Sequence, residues 1–257
     1  MAQLGEAMSA ASKNCVFGAL LGLLVSTVVA TNPAHAENPP SPSGWSFQIT
    51  PYLWLAGIGG NVTTREGITA SFDQSIGQVL SHLDGGLMVL GEARHGRWML
   101  VGDFDYARLS ASRDLASLTT KEFLGTINGG YRFIDSPGFK LDGFIGVRVM
   151  SVNNDLSIAG LTFPRSDAAS GSWADPLLAV RAVLPIGSGF LAYGYGDVGG
   201  GPDSDLTWQI YGGLGYNFNE TIAGYVGYRY LSMRHSTDGP SFDLKQQGPL
   251  IGVGFRF

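Results

Sequence analysis

Apolar and polar positions alternate with a period of two through most of the chain beyond residue 44. In Leu206–Phe218, the residues Leu206, Trp208, Ile210, Gly212, Leu214, Tyr216 and Phe218 fall on one face, and Thr207, Gln209, Tyr211, Gly213, Gly215 and Asn217 on the other. The end of the chain repeats this, with Ile251, Val253, Phe255 and Phe257 opposite Leu250, Gly252, Gly254 and Arg256. Successive strand side chains point to opposite faces, so the pattern predicts strands with one wholly apolar face. Ten such segments are legible: Trp45–Leu55, Leu87–Arg94, Trp98–Ala107, Glu122–Phe133, Phe139–Met150, Trp173–Leu184, Phe190–Gly199, Leu206–Phe218, Ile222–Leu231 and Pro249–Phe257. Each is close to the about nine to eleven residues that a tilted strand needs to cross a bilayer.

The connections alternate in length. Short ones at Arg94–Arg97, Ile134–Gly138, Pro185–Gly189 and Asn217–Thr221 carry turn-forming Gly, Pro, Asn or Asp. Longer ones fall at Leu109–Lys121, Ser151–Ser172, Gly200–Asp205 and Ser232–Gly248. Short periplasmic turns and longer outside loops are the habit of outer-membrane barrels. The stretch Gly59–Asp84 fits less well. It holds one further strand-like run, Gly67–Phe72, and then Ile76, Val79, Leu80 and Leu83 at helical spacing. It reads as a long first outside loop with a short helix at the barrel mouth; a crossing by Gly67–Phe72 would change the strand count. The expectation is an all-β fold, a closed antiparallel transmembrane barrel of ten strands, with eight or twelve as the alternatives.

Sorting each strand by parity separates the charges. The face opposite the apolar one collects Glu92, Arg94, Asp103, Asp105, Glu122, Arg132, Asp142, Arg148, Asp175, Arg181, Asp197, Arg229 and Arg256, and the apolar face of the same strands carries none. A charge facing lipid costs about 2–4 kcal/mol at the bilayer midplane, whereas an inward one can be hydrated or paired. A soluble β-sandwich would invert this assignment, with the apolar face inside. Aromatic residues near strand ends, at Trp45, Trp98, Tyr131, Phe133, Tyr216 and Phe218, favour the barrel because they suit interfacial girdles. The mixture of acids and arginines predicts a paired internal network more than a selective pore, which would carry one dominant sign. Tyr52, Trp54, Tyr193, Tyr195 and Tyr211 would narrow the lumen further.

Composition limits the alternatives. The chain has 257 residues, a net charge of -5, 14% charged residues and one cysteine. No apolar run beyond the first 30 residues is long enough for a membrane-spanning helix, and no Lys/Arg block marks a nucleic-acid surface. Residues 1–36 read as a secretory signal: Lys13, an apolar stretch Val16–Ala30, and Ala34, His35, Ala36 before a cut at Glu37. A membrane anchor is the alternative, disfavoured by the short apolar stretch and the cleavage pattern. Cleavage would remove Cys15 and leave residues 37–257 as the barrel, without thiol chemistry.

No catalytic residue, cofactor site or metal site is expected. His82, His95 and His235 are the histidines left after cleavage, and none forms a ligand pair at metal spacing. His235 with Ser232, Ser236 or Asp238, and His82 with Asp84, are the only candidate base and nucleophile or acid groupings at the outer rim. Asp103 and Asp105 share one inward face and could share a proton or bind a cation, although pairing with arginine is the simpler expectation. Asp203, Asp205 and Asp238 read as loop acids.

The signal, the alternating strands and the terminal Phe257, preceded by Phe255, Val253 and Ile251, resemble Gram-negative outer-membrane β-barrel proteins. The resemblance implies that Phe257, Phe255 and Val253 act as the signal read by the barrel-assembly machinery. Within that class the chain is similar to a rhizobial and wider proteobacterial porin-like group, through "ITPYLWLAGIGGNV" (49–62), "GEARHGRWMLVGDFDY" (91–106), "AYGYGDVGG" (192–200), "SDLTWQIYGGLGYNFN" (204–219), "GYRYL" (227–231) and "GPLIGVGFRF" (248–257). It implies location in the cell outer membrane and no defined substrate. The partners it implies are outer-membrane lipid and lipopolysaccharide, and the assembly machinery and periplasmic chaperones during biogenesis, around a monomer. A structural or small-solute permeation role is expected, with adhesion through outside loops as the alternative and an outer-membrane hydrolase as a remote third.

Overall fold

Alternation along the chain becomes a wall with two faces. A computed structural model describes residues 44–63, 69–113, 116–158, 165–201, 204–235 and 241–257; the signal expected at 1–36 lies outside the described residues. The elements are β1 (Trp45–Trp54), β2 (Gly57–Thr63), β3 (Thr69–Gln74), α1 (Ile76–Ser81), β4 (Leu83–His95), β5 (Trp98–Arg113), β6 (Ala116–Ser136), β7 (Phe139–Ile158), β8 (Arg165–Gly187), β9 (Phe190–Gly201), β10 (Ser204–Asn217), β11 (Ile222–His235) and β12 (Ser241–Arg256). Sequential antiparallel pairing runs from β4 to β12, and β1 bonds β4 on one edge and β12 on the other. Ten strands therefore close into a barrel with no free edge, and β2 and β3 are two extra strands.

The extra hairpin arises because β2 continues the line of β1. Trp54 faces Leu250 and Gly57 faces Gln247, so both strands follow β12 in one register across the break at Leu55–Ala56. Gly248 permits this close passage, since a side chain there would strike the Leu55 backbone. Beyond Pro51–Val89, β4 loses β1 as its neighbour while β2 takes β3. The described part of the strand-like run expected at Gly67–Phe72, from Thr69 onward, is thus the β3 arm of a hairpin beside β12, and it adds no crossing to the barrel. The chain then enters α1 through a capping box, in which the Gln78 amide N–H donates to Ser75 Oγ and the Ser75 amide N–H donates to Gln78 Oε1. A helix of six residues is not stable alone; this one is held by Val79, which is buried against Trp54 and Met88 inside the barrel mouth.

The connections at the two ends of the barrel differ. Short turns at Gly96, Pro137–Gly138, Ser188–Gly189 and Phe218–Thr221 close one end, and Gly96 adopts a positive φ of 58° that suits its tight turn. At the other end, the stretches read as loops are ladders. The β5–β6 pair continues to Arg113↔Ala116, the β7–β8 pair to Ile158↔Arg165, and the β11–β12 pair to His235↔Phe242. Residues 151–172 are therefore mostly hairpin, not loop. The short polar side chains there blur the period-two signal, while backbone pairing needs no apolar face. Strands β6, β7 and β8 reach 21, 20 and 23 residues, about twice what a bilayer crossing takes.

The outer face is apolar. Leu100, Ile145, Leu178, Ile210, Val226 and Ile251 are each at least half exposed. At the short-turn end the band is bordered by ring clusters: Trp45 with Phe47, Trp98 with Tyr131 and Phe133, and Phe190 with Tyr216 and Phe218. Towards the far end, Tyr106 lies opposite Phe123, and Trp208 stacks on Tyr230. Two aromatic belts around an apolar band are what an interface on each side of a bilayer selects. Ile145→Arg, in the middle of this band at 69% exposure, should destabilise the barrel by about 2–4 kcal/mol. Urea-dependent refolding into phospholipid bilayers measures that loss, and no shift in the midpoint would contradict the lipid-facing assignment.

Candidate functional site

The lumen is divided along its axis into an open half and a filled half. At the short-turn end lies a cavity of about 1180 Å³, walled by residues such as Gln48, Leu90, Tyr193, Tyr225 and Arg256 and ending at Tyr52, Asp103 and Arg229. None of the apolar side chains beyond that level reaches it. There Trp54, Val79, Met88, Leu109, Leu124, Met150, Leu231, Met233 and Leu244 form one packed cluster on the inside of the wall. A void of about 40 Å³ is left among them.

The charge network runs along the inner wall, from the vestibule into the filled half. All thirteen residues expected on the inner face belong to the barrel strands, and eight of them are at most 8% exposed. Arg132 and Arg181 both bind Asp142, at 2.7 and 2.8 Å, and Arg181 also reaches Glu92 at 2.6 Å, which Arg94 shares at 2.6 Å. Arg148 bonds Asp197 at 2.6 Å and donates to Thr207 Oγ1 at 2.9 Å; its register partner across β7–β8 is Asp175. Arg229 faces Asp103 and Asp105 at 3.3 and 3.1 Å, while the single Tyr52 hydroxyl lies within hydrogen-bond distance of both carboxylates. The guanidinium of Arg229 lies 4.4 Å from the Trp54 ring, which joins the network to the apolar plug.

Two of the thirteen depart from acid–base pairing. Glu122 accepts a hydrogen bond from the Gln246 side chain at 2.8 Å, beside the small void. Arg256 donates only to neutral acceptors: Gln48 Oε1 at 3.0 Å, Asn217 Oδ1 at 2.7 Å and Tyr225 Oη at 3.1 Å. Charge counting along a sequence has no means of seeing either partner set. The apolar plug was legible in principle, because Leu124, Met150, Leu231 and Met233 have the parity of Glu122, Arg148 and Arg229. Sorting for charge alone passes over them.

The described members of the candidate catalytic groupings have other partners. His82 Nδ1 lies 2.9 Å from the Gln78 carbonyl of its own helix and 3.0 Å from Ser81 Oγ. Asp84 accepts from Ser110 Oγ and lies 3.4 Å from Arg108. The His235 ring stacks on Trp173 at 5.1 Å, and Ser236, Asp238 and Asp203 fall outside the described residues. His95 packs against Trp45 at the short-turn rim. Among the described residues no three His, Cys, Asp or Glu side chains lie close enough together to hold a metal ion.

This is the architecture of a transmembrane β-barrel of the outer-membrane type. No protein-family model and no curated protein matches the sequence. Among solved structures the chain is similar to the outer membrane protease OmpT from Escherichia coli, with a TM-score of 0.50 and 9% identity over 86% of this chain and 99% of that one. It also matches Ail, the attachment invasion locus protein of Yersinia pestis (TM-score 0.35, 16% identity, 84% and 99% covered) and Neisserial surface protein A (0.35, 11%, 83% and 99%). The likeness at a TM-score of 0.50 shows the fold alone, that of an outer-membrane barrel, and the girdled apolar band is the physical reason such a wall sits in that membrane.

Proposed function

We propose that this chain is a closed outer-membrane barrel of the rhizobial-type, porin-like group, with a structural role at rest and no open diffusion channel. The observation that carries this reading is the apolar plug, in which eleven buried side chains pack together beyond the vestibule. Water and ions cross a barrel only along a continuous polar path. The inner charges brace the wall around the vestibule and beside the plug, and small-solute permeation would require displacement of the plug. The short-turn end faces the periplasm in this reading, and Phe257, Phe255 and Val253 supply the assembly signal at the end of β12. The barrel acts as a monomer in lipid and lipopolysaccharide.

The test is single-channel recording of the mature protein in a planar bilayer, after heat-modifiable gel mobility has shown that it is folded. The wild type should be silent, with brief openings appearing in Arg148→Ala and Arg181→Ala. Steady wild-type openings would sink the proposal. A second reading, adhesion or interaction at the cell surface, is favoured by the 20–23-residue strands β6–β8, which carry the wall well beyond the lipid band. Trimming the tips of those hairpins should then abolish surface binding without changing the fold.

A further inference from the structure

The cavity at the short-turn end is more than leftover space. Six cationic side chains line it (Arg94, Arg132, Lys140, Arg181, Arg229 and Arg256), against three acids, Glu92, Asp103 and Glu220. Four of the cations are committed to carboxylates in the wall, and Lys140 lies 3.2 Å from Asp135. Arg256 is different. Its Nε donates to Gln48 and its Nη2 to Asn217 and Tyr225, all neutral, and no carboxylate among the described residues stands within ion-pair distance of it. Gln48 is itself oriented, since its Nε2 donates to Thr50 Oγ1 at 2.9 Å and so turns its oxygen to the guanidinium. A cation held in place by neutral acceptors keeps its charge available to an incoming anion, and Arg256 has Nη1 still undirected. Above it the same wall carries Tyr193, Tyr211 and Tyr225; Tyr193 is 5.9 Å from Tyr225 and 6.5 Å from Tyr211, ring centre to ring centre. Leu191 and Leu250 add apolar surface.

We propose that this vestibule is a binding site for a small soluble organic anion, with its carboxylate or phosphate on Arg256 and a flat or apolar body against the tyrosine wall. The ligand enters and leaves by the short-turn mouth, because the other end is filled. The site needs no conduction through the barrel. Binding is measured in non-ionic detergent, so its outcome is separate from whether the bilayer is silent.

The experiment is titration of the folded mature protein, followed by isothermal calorimetry or ligand-observed NMR, with phenyl phosphate, inorganic phosphate and short-chain phosphatidylglycerol as probes. Phenyl phosphate should saturate one site, at least fivefold tighter than inorganic phosphate, and weaken with added salt. Arg256→Gln should weaken phenyl phosphate at least tenfold. Because Arg256 lies in β12, a folding defect in that variant is bypassed with Tyr193→Leu, which should weaken phenyl phosphate about fivefold and leave inorganic phosphate unchanged. Absence of saturation, equal affinity in Arg256→Gln or Tyr193→Leu, or saturation by phosphatidylglycerol alone would each overturn the proposal.

Discussion

Arg148→Met is expected to lower the unfolding free energy of the barrel by about 3–5 kcal/mol, the loss typical of a buried ion pair that loses one partner. The Arg148 and Asp197 side chains are 1% and 0% exposed, and neither lines the open vestibule. Methionine fills much of the same volume, so the loss is one of charge compensation more than of packing. Asp197 would lose its cationic partner while keeping the hydrogen bond from Gln209 Nε2, at 2.6 Å, and Thr207 would lose the Arg148 donor. The pair Lys121–Asp155 offers a control: it is about half exposed at 3.7 Å, and breaking it should change stability by under about 1 kcal/mol. Urea-dependent refolding of the two variants into lipid measures the contrast, and equal midpoints would mean that the Arg148 site is hydrated.

Trp54→Ala should be as damaging and should also change transport. Trp54 is 3% exposed, carries the Arg229 guanidinium over its ring and packs into the apolar cluster below α1. Truncating a buried tryptophan costs about 3–5 kcal/mol, part of it for the cavity left behind. That cavity would adjoin both the existing void and the vestibule ceiling at Arg229. The expected result is a lowered urea midpoint together with discrete conductance in a planar bilayer that the wild type lacks. Unchanged stability would mean that the plug is loosely packed.

The barrel was legible in the sequence because lipid imposes one rule on every crossing strand: apolar outward, anything else inward. That rule is strict from Leu206 to Phe218 and from Ile251 to Phe257, and those strands run where the alternation places them. It lapses where lipid no longer touches the wall. Residues 109–121 and 151–172 therefore looked like loops, although the backbone ladder continues through most of them. Residues 59–84 were ambiguous for a different reason. Whether Thr69–Gln74 crosses or folds back depends on β2 holding the far half of β12, a long-range pairing with no local signal. The inner charges could be listed from parity, but their partners could not. Arg181 joins Glu92 and Asp142 from strands 89 and 39 residues away in sequence, and Arg256 meets only neutral groups.

The central claim is that the lumen is an open vestibule at one end and an apolar plug at the other. Single-cysteine labelling tests it most directly, because Cys15 is the chain's only cysteine and lies in the stretch 1–36 expected to be removed as a signal. Cysteines at Leu90 and Val183, which line the vestibule, are compared with cysteines at Leu124 and Met150 in the plug, which are 2% and 1% exposed. A water-soluble maleimide should modify the folded Leu90→Cys and Val183→Cys proteins within minutes, and Leu124→Cys and Met150→Cys only after unfolding. Rapid labelling of all four would mean a continuous water-filled lumen and would contradict the account.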